Sequence, residues 1–256
     1  MERRNFNQLF ALGSLGLAFS SPITNKKISL AQWSLHRAIK INKELSPNDF
    51  SIKARQMGFD AVEYVSSLYW NELKSRSIKN VTKELLSKSK DNDIKNLLIM
   101  VDGEGDLATK NNLKREKAIE NHIKWIEMAH ELGCHSIRVN LNGEKQKESW
   151  IEYSSKSLSK LCSIAKKDKV NIIVENHGGL SSNAKLLANV MKEVNLENCG
   201  TLPDFGNFCN AEGNKANKVN GKAKANAYPV MPIIGLTQLP PADKINIEPT
   251  IGPVHE

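Results

Sequence analysis

The chain has 256 residues, of which 40% are hydrophobic, and its formal net charge is +8. That length and hydrophobic content suit one α/β domain with a large buried core, the size of a single α/β barrel. The four cysteines have no CxxC spacing and form no dense framework, which excludes a zinc knuckle and a disulfide scaffold and favours buried thiols. They are Cys134, Cys162, Cys199 and Cys209.

The positive charge has two interpretations. Lysine-rich proteins attract phosphate without specificity, so a nucleic acid or an anionic surface is one candidate partner. However, the lysines are scattered along helix-like segments, and only residues 215–224 form a local basic run. Solvated helix faces are therefore the favoured interpretation, and no specific nucleic-acid partner is predicted.

The first twenty residues differ from the rest of the chain. Arg3 and Arg4 precede an uncharged run, FALGSLGLAFS, that is too short to span a bilayer. This pattern predicts a twin-arginine-like signal peptide over residues 1–20, cleaved before Ser21. The protein is then expected to be exported to the periplasm or secreted, with no membrane partner after cleavage. The alternative is a frayed amphipathic N-terminus.

Six strand-like runs follow, with helix-like segments between them. They cover residues 27–35, 60–65, 96–102, 135–140, 171–175 and 200–204. Their spacing of about 30–40 residues is the length of one βα unit. Six such units in succession over residues 21–209 predict an α/β fold of the (β/α)8 TIM-barrel type.

The helix-like segments carry ordinary start and stop signals. Ser46 and Pro47 predict a capped helix start, and Gly133 predicts the end of a long helix striped with isoleucines. Ser181, Ser182 or Asn183 is expected to cap the last helix. The apolar stripes predict surfaces that pack on the core, with no cofactor role.

The composition changes after residue 209. Residues 210–256 are first rich in lysine, asparagine, glycine and alanine and then rich in proline. Prolines disfavour regular sheet ladders, and this segment is shorter than two further βα units. It is predicted to be an irregular, divergent tail, so that the last one or two βα units of the barrel are missing, divergent or disordered.

Two strand-like runs end in a carboxylate and then meet glycine. Glu175 lies in IVENHGG and Asp204 in LPDFGNF. Parallel α/β proteins build their sites at such strand ends, and Glu175 and His177 share a face because side chains alternate along a strand. Carboxylate and imidazole groups there suit one divalent cation, Mn²⁺, Mg²⁺, Co²⁺ or Zn²⁺. The alternative is a capping or ion-pair role for both acids.

Other polar residues near strand ends are candidate substrate contacts. Glu63 lies within an apolar strand, where it needs a cation or a hydroxyl, and Arg138 suits a carboxylate, a phosphate or Glu63 itself. The predicted substrate-binding residues are Glu63, His36, Arg138, Asn140 and His177. Asp102 and Glu104 are either substrate contacts or solvated turn acids, and His122 and His130 are taken as structural.

Several longer motifs resemble one family. SLAQWSLHRA, AVEYV, LLIMVDGEGDL, LGCHSIRVN, IVENHGGLSSN and NCGTLPDFGNFC are similar to the sugar phosphate isomerase/epimerase family of xylose-isomerase-like TIM barrels, in its exported branch. The resemblance covers about residues 28–209. It implies one divalent cation held by a Glu, Asp, His, Glu set from the last four strands. Glu175 and Asp204 match the first two ligands, and Glu248 is a weak candidate for the last.

The resemblance also implies a reaction and a small-molecule partner, a sugar, sugar phosphate or related polyol. Glu175 would act as ligand and as catalytic base in an isomerase or epimerase that transfers a proton through an enediolate. No residue of the tail matches the opposing acid, so an inactive form stays open. The alternatives are a non-catalytic sugar-binding barrel and an abasic-site endonuclease, which is disfavoured because its zinc cluster needs more histidines.

Overall fold

The computed structural model describes residues 28–204 and residue 207. The predicted signal peptide, the predicted tail, Cys209 and the weak ligand candidate Glu248 lie outside these residues. Their structure and roles therefore stay predictions.

The described residues form one parallel sheet of six strands, covered by helices. The strands are β1 Leu30–Ala31, β2 Ala61–Val65, β3 Lys95–Met100, β4 Ser136–Val139, β5 Asn171–Glu175 and β6 Cys199–Leu202. The helices are α1 Phe50–Gln56, α2 Ile78–Asp91, α3 Asn112–Leu132, α4 Lys147–Ala165 and α5 Ala184–Val194. The strands lie in chain order, each beside the next. This is the winding of a TIM barrel, as predicted, and six of its strands are present here.

Alternate residues of each strand pack on opposite faces of the sheet. The larger apolar cluster lies between sheet and helices and contains Val62, Ile99, Ile137, Ile172 and Val174. The smaller cluster lies on the other face and contains Val65, Leu98, Met100 and Ile173. Because the helices cover only one face, the smaller cluster marks the barrel interior, and residues of the same parity point the same way.

The predicted helix boundaries are confirmed where the structure describes them. The Ser46 hydroxyl accepts a hydrogen bond from the Asn48 N–H at the start of a 3-10 turn that leads into α1. Gly133 ends α3 with a φ of 74°, a left-handed conformation that costs glycine little. Of the three candidate caps for α5, Asn183 is the one that accepts from the backbone, at Lys185 and Leu186.

Two of the predicted strands end early for a local reason. The run at 27–35 forms a strand only at Leu30–Ala31, after which the chain turns into a 3-10 helix over Gln32–Leu35. There the Val65 N–H donates its hydrogen bond to the side-chain oxygen of the buried Gln32. In a regular ladder the acceptor would be a backbone carbonyl. The run at 200–204 ends at Leu202, because Pro203 has no N–H to continue the ladder.

The buried thiols predicted from cysteine spacing are confirmed for three positions. Cys134, Cys162 and Cys199 are free and buried. None of the helices within the described part of the chain is both long enough and apolar enough to cross a membrane.

Candidate functional site

The carboxyl ends of β3 to β6 bring several polar side chains to one edge of the sheet. The strands are parallel, with Met100 beside Arg138, Arg138 beside Ile173 and Glu175 beside Leu202. Side chains that follow the last paired residues therefore meet at the same level. We call the five residues that contact one another there the strand-end cluster: Asp102, Arg138, Asn140, Glu175 and His177.

Arg138 is the centre of this cluster. Its Nη1 lies 2.6 Å from Asp102 Oδ1, and its Nε lies 2.9 Å from Glu175 Oε2. The Nε–H has no aligned acceptor, so the contact with Glu175 is an ion pair without a well-directed hydrogen bond. The Arg138 side chain is only 4% exposed. A buried guanidinium needs such partners, since an unpaired buried charge is costly.

Asp102 is fixed by contacts from three directions. Its carboxylate accepts hydrogen bonds from Arg138 and, at 2.9 Å, from Asn140 Nδ2. Its backbone N–H donates to the Ser66 hydroxyl at 2.8 Å, which ties the end of β3 to the turn after β2. Sequence analysis left Asp102 undecided. Its parity with the inward Leu98 and Met100 was the signal that favours a place in the site.

Glu175 and His177 are in direct contact, as their shared parity predicted. His177 Nδ1 lies 2.9 Å from Glu175 Oε1. Burial of Glu175 alone would raise its pKa, but the hydrogen bond from His177 and the charges of Arg138 and His177 outweigh burial and lower it. The same hydrogen bond raises the pKa of His177 above its usual 6.5. Each group of the pair therefore favours the charged form of the other.

These two pKa shifts predict how the pair stabilises the metal-free protein. The lowered pKa of Glu175 gives stability that is present above its usual pKa of 4.5 and is lost as pH falls further. The raised pKa of His177 gives stability that is complete below 6.5 and is lost as pH rises through the raised value. We expect the stability difference between wild type and His177→Gln to be largest between these values. Urea unfolding from pH 4 to pH 9 measures it, and a difference that grows above pH 7 would contradict the pairing.

Asn176 joins the ends of β5 and β6. Its Oδ1 accepts the Asp204 N–H at 2.7 Å, and its Nδ2 donates to the Asp204 carbonyl at 2.7 Å. Asn176 is 1% exposed, so neither bond is readily replaced by water. Asp204 Oδ2 also accepts a hydrogen bond from Asn207 Nδ2 at 2.6 Å. The amide of Asn176 therefore fixes the backbone from which the Asp204 carboxylate projects. Sequence analysis did not find this residue.

Replacing Asn176 by alanine should lower the free energy of unfolding by about 1–3 kcal/mol, because two backbone groups of Asp204 lose the buried amide that is their partner. The matched control is Asn171→Ala at the other end of β5, where the side chain donates to His135 O. Both variants should lower the melting temperature. Only Asn176→Ala should also weaken manganese binding in calorimetry. Equal manganese affinity in the two variants would show that Asn176 does not position Asp204.

The loop after His177 is a tight turn held by serine hydroxyls. Gly178 and Gly179 have φ values of 99° and 58°, in the region that side chains disfavour. The Ser182 hydroxyl accepts the Gly178 N–H at 2.9 Å and donates to the Asn176 carbonyl at 3.2 Å. The two glycines thus serve the turn that begins directly after the cluster.

The remaining candidate residues lie outside these contacts. Glu63, on the interior face of β2, accepts a hydrogen bond from the Ser29 hydroxyl at 2.6 Å, so Arg138 pairs with Asp102 and Glu175 instead. The His36 ring stacks on Trp33, after β1, with ring centres 4.5 Å apart.

Glu104 and His122 both have structural partners on α3. The Glu104 carboxylate accepts a hydrogen bond from Trp125 Nε1 at 2.7 Å and pairs with Lys124, so it fastens its loop to α3. His122 is buried, with its Nδ1 2.7 Å from the Ala118 carbonyl in the preceding turn of α3. This agrees with the structural role assigned to it.

Two carboxylates among the described residues could contribute to a cation site. Glu175 and Asp204 offer carboxylates from neighbouring strand ends, and His177 lies beside Glu175. Magnesium-like ions are held by one or two carboxylates, with water and substrate oxygens as further ligands, so the chemistry of this pair fits such an ion. No group of three or more His, Cys, Asp or Glu suited to a metal occurs within residues 28–204. The third and fourth ligands that the resemblance implies would come from later strands, for which the sequence offers only Glu248 as a weak candidate.

Comparison with protein families identifies the fold family. A family model described as xylose isomerase-like TIM barrel matches residues 52–236. The chain belongs to the xylose isomerase-like TIM barrel family. The match includes the whole strand-end cluster and Asp204. A comparison with curated protein sequences finds no match.

Solved structures share this fold at low sequence identity. A D-tagatose 3-epimerase-like protein is 20% identical with a TM-score of 0.59, and the alignment covers 80% of this chain and 72% of that one. D-psicose 3-epimerase with D-tagatose from Clostridium cellulolyticum H10 is 17% identical with a TM-score of 0.57, covering 78% and 70%. The IOLI protein with a binding zinc atom is 18% identical with a TM-score of 0.58, covering 73% and 66%. At these identities the likeness shows the fold.

Proposed function

We propose that this protein is a sugar isomerase or epimerase that depends on one divalent cation. The observation that carries the proposal is the pair of carboxylates at neighbouring strand ends, Glu175 on β5 and Asp204 after β6, in a chain of this barrel family. Catalytic groups of TIM barrels lie at the carboxyl ends of strands. Solved relatives of the same fold include sugar epimerases and a protein with bound zinc.

In this proposal Glu175 and Asp204 hold the cation, and the rest of the cluster keeps Glu175 ready to bind it. When bound, the cation supplies Lewis-acid stabilisation of the charge that develops on a substrate carbonyl oxygen. Arg138 and His177 keep Glu175 ionised, because both favour the carboxylate form. A carboxylate with a lowered pKa is a good ligand and a weak base, so Glu175 acts mainly as a ligand.

Binding of a cation by Glu175 would disturb the contacts that Glu175 makes within the strand-end cluster. Glu175 Oε1 faces His177 Nδ1, and Glu175 Oε2 faces Arg138 Nε. Arg138 keeps Asp102 as a second partner, but His177 has no comparably close second acid in the described contacts. A cation held by Glu175 would therefore compete with the contact between Glu175 and His177. Metal binding should then lower the pKa of His177, since the ring loses the carboxylate that raised it.

A second candidate function is a non-catalytic barrel that binds sugar. It is favoured by the contacts of the acids themselves: the two Glu175 oxygens already lie against Arg138 and His177, and Glu63 on the interior face of β2 is bonded to Ser29. Under this hypothesis the cluster orders the site but moves no proton. The two candidates differ in one measurable event, the exchange of a carbon-bound hydrogen with solvent.

The experiment is solvent-deuterium incorporation into sugar. The manganese-loaded full chain is incubated in D2O with D-tagatose, D-fructose and related ketoses, and the recovered sugars are analysed by proton NMR and mass spectrometry. Incorporation that disappears in Asp204→Asn supports the isomerase or epimerase. Binding of sugar without incorporation assigns the non-catalytic barrel. Incorporation that is unchanged in Asp204→Asn contradicts the assigned metal ligand.

A further inference from the structure

Two buried cysteines lie together between the sheet and the helical layer. Cys162 is on α4 and Cys199 begins β6, and both belong to the larger apolar cluster. Cys199 pairs with Ile172 of β5, whose side chain is in the same cluster, so both side chains point toward the helices. The fold therefore brings into one layer two thiols that are distant in sequence.

Direct contacts hold the two cysteines against each other. Asn198, which immediately precedes Cys199, donates a hydrogen bond from its Nδ2 to the Cys162 carbonyl at 2.8 Å. The Cys162 thiol lies 3.7 Å from the Asn198 carbonyl, and the sulfur of Cys199 is a second hydrogen-bond partner within its reach. Two sulfur atoms in such contact can reach bonding distance by rotation of their side chains, without separation of α4 from β6.

The contact makes the two thiols chemically unequal. The hydrogen bond from Cys162 lowers the pKa of the Cys199 thiol, although burial opposes this shift. The same hydrogen bond and burial raise the pKa of the Cys162 thiol. Cys199 is also 6% exposed, whereas Cys162 is 0% exposed. Because the thiolate is the reactive form of cysteine, Cys199 is the thiol that reacts first.

Cys134 is a natural comparison for Cys199. It is 5% exposed, so the two sulfur atoms are almost equally accessible. Burial raises the pKa of the Cys134 thiol to about 12, and no hydrogen bond from another thiol opposes this rise. A difference in reactivity between Cys134 and Cys199 therefore reports the effect of the neighbouring thiol rather than the effect of exposure.

We propose that Cys162 and Cys199 form a site of oxidative modification, at which a peroxide converts the two thiols into a disulfide that links α4 to β6. A peroxide suits this site because it is a small, neutral oxidant and the sulfur atoms are nearly buried. The Cys199 thiolate attacks one peroxide oxygen, so that an S–O bond forms, the O–O bond breaks and hydroxide leaves as water after taking up the thiol proton. The Cys162 sulfur then displaces the oxygen of the Cys199 sulfenic acid, forming the S–S bond and releasing a second water. Each sulfur loses one electron, and the peroxide takes up both.

The disulfide would act on the strand that leads to Asp204. Among the described strands β6 is at one edge of the sheet and pairs with β5. A covalent bond to α4 gives β6 a second attachment and restricts the unfolded chain between the two cysteines. This inference concerns the oxidation state and stability of the protein and does not depend on the proposed reaction.

The first test maps the disulfide in the full chain. The protein is reduced, separated from the reductant, exposed to hydrogen peroxide, alkylated and digested, and the peptides are analysed by mass spectrometry. We expect a linked peptide pair that joins Cys162 to Cys199, with Cys134 recovered in the alkylated form. Recovery of Cys162 and Cys199 as alkylated thiols, after a treatment that fully oxidises free glutathione, overturns the inference. A link from either residue to Cys209 also overturns it.

Single-cysteine variants test the order of the two steps. In Cys162→Ala the sulfenic acid at Cys199 has no partner, so peroxide should add oxygen at Cys199. In Cys199→Ala the Cys162 thiol should take up oxygen at least about tenfold more slowly, because it is less exposed and less ionised. Both variants also carry Cys209→Ser, so that a third thiol cannot replace the missing partner. Equal or faster oxidation of Cys162 overturns the assignment of Cys199 as the first thiol to react.

The melting temperature tests the effect on β6. The peroxide-treated protein should melt roughly 5–10 °C above the reduced protein, as expected for a disulfide that closes a loop of several tens of residues. Dithiothreitol should reverse this shift. The matched control, Cys134→Ala, should keep the shift, and Cys162→Ala should lose it. A mapped disulfide between Cys162 and Cys199 that leaves the melting temperature unchanged would overturn the stabilisation of β6.

Discussion

Replacing Arg138 by methionine should lower the free energy of unfolding by about 3–5 kcal/mol. The side chain is nearly fully buried and pairs with both Asp102 and Glu175. Methionine fills similar space but leaves two carboxylates close together without their shared cation. They repel each other and are poorly solvated, so the loss exceeds that of a simple ion pair. Chemical denaturation of the metal-free protein at neutral pH measures the change.

Arg76 offers a matched control, because it also pairs with two carboxylates. Its guanidinium lies 3.1 Å from Glu72 and 2.7 Å from Glu84, but the side chain is 34% exposed. Exposed pairs are screened by water, so Arg76→Met should cost much less stability than Arg138→Met. A similar loss in the two variants would contradict the view that burial makes Arg138 decisive. The Arg138 variant should also regain stability at acidic pH, where protonation of Glu175 relieves the repulsion.

Glu175→Gln should abolish the stabilisation of the protein by manganese. A ligand that binds only the folded state at one hundred times its dissociation constant stabilises that state by about 2.7 kcal/mol. Glutamine keeps the size of the side chain but loses the charge that attracts the cation. We therefore expect Glu175→Gln to lose nearly the whole difference in melting temperature between the sample with manganese and the sample with chelator. Differential scanning fluorimetry on both samples of each variant measures this shift.

Glu104→Gln is the control for this prediction. Glu104 is an acid of the loop after β3, but it contacts Trp125 and Lys124 on α3 and lies outside the cluster. The variant should lose some stability in chelator and keep the full manganese shift. A manganese shift that survives in Glu175→Gln would remove Glu175 from the metal site, whatever its effect on stability in chelator.

The fold could be predicted from the sequence because its signals are local and repeated. Each buried parallel strand is a short apolar run, and each helix has an apolar stripe with a cap or a glycine stop. The contact between Glu175 and His177 also followed from the sequence, since residues two apart in a strand share a face. The same parity, applied to Leu98, Met100 and Asp102, would have placed Asp102 in the cluster.

The contacts that complete the site depend on the register of neighbouring strands. The sequence of a single strand does not determine that register. Asn176 has the opposite parity to Glu175, so alternation alone places it away from the site. It supports the site indirectly, because its side chain forms hydrogen bonds with the backbone of Asp204 on the neighbouring strand end. Gln32 replaces a strand ladder in a similar way by bonding to Val65. The partners of Arg138 were also open, because Glu63 and Asp102 lie on neighbouring strands and only the register decides between them.

The most direct test is the position of a manganese ion in a crystal of the full chain, located by its anomalous scattering. We expect one strong peak at the carboxyl edge of the sheet, about 2.0–2.3 Å from oxygens of both Glu175 and Asp204, with the His177 ring moved away from Glu175 Oε1. A manganese peak bound elsewhere, or Glu175 still paired with both His177 and Arg138 beside a bound ion held by other residues, would contradict it.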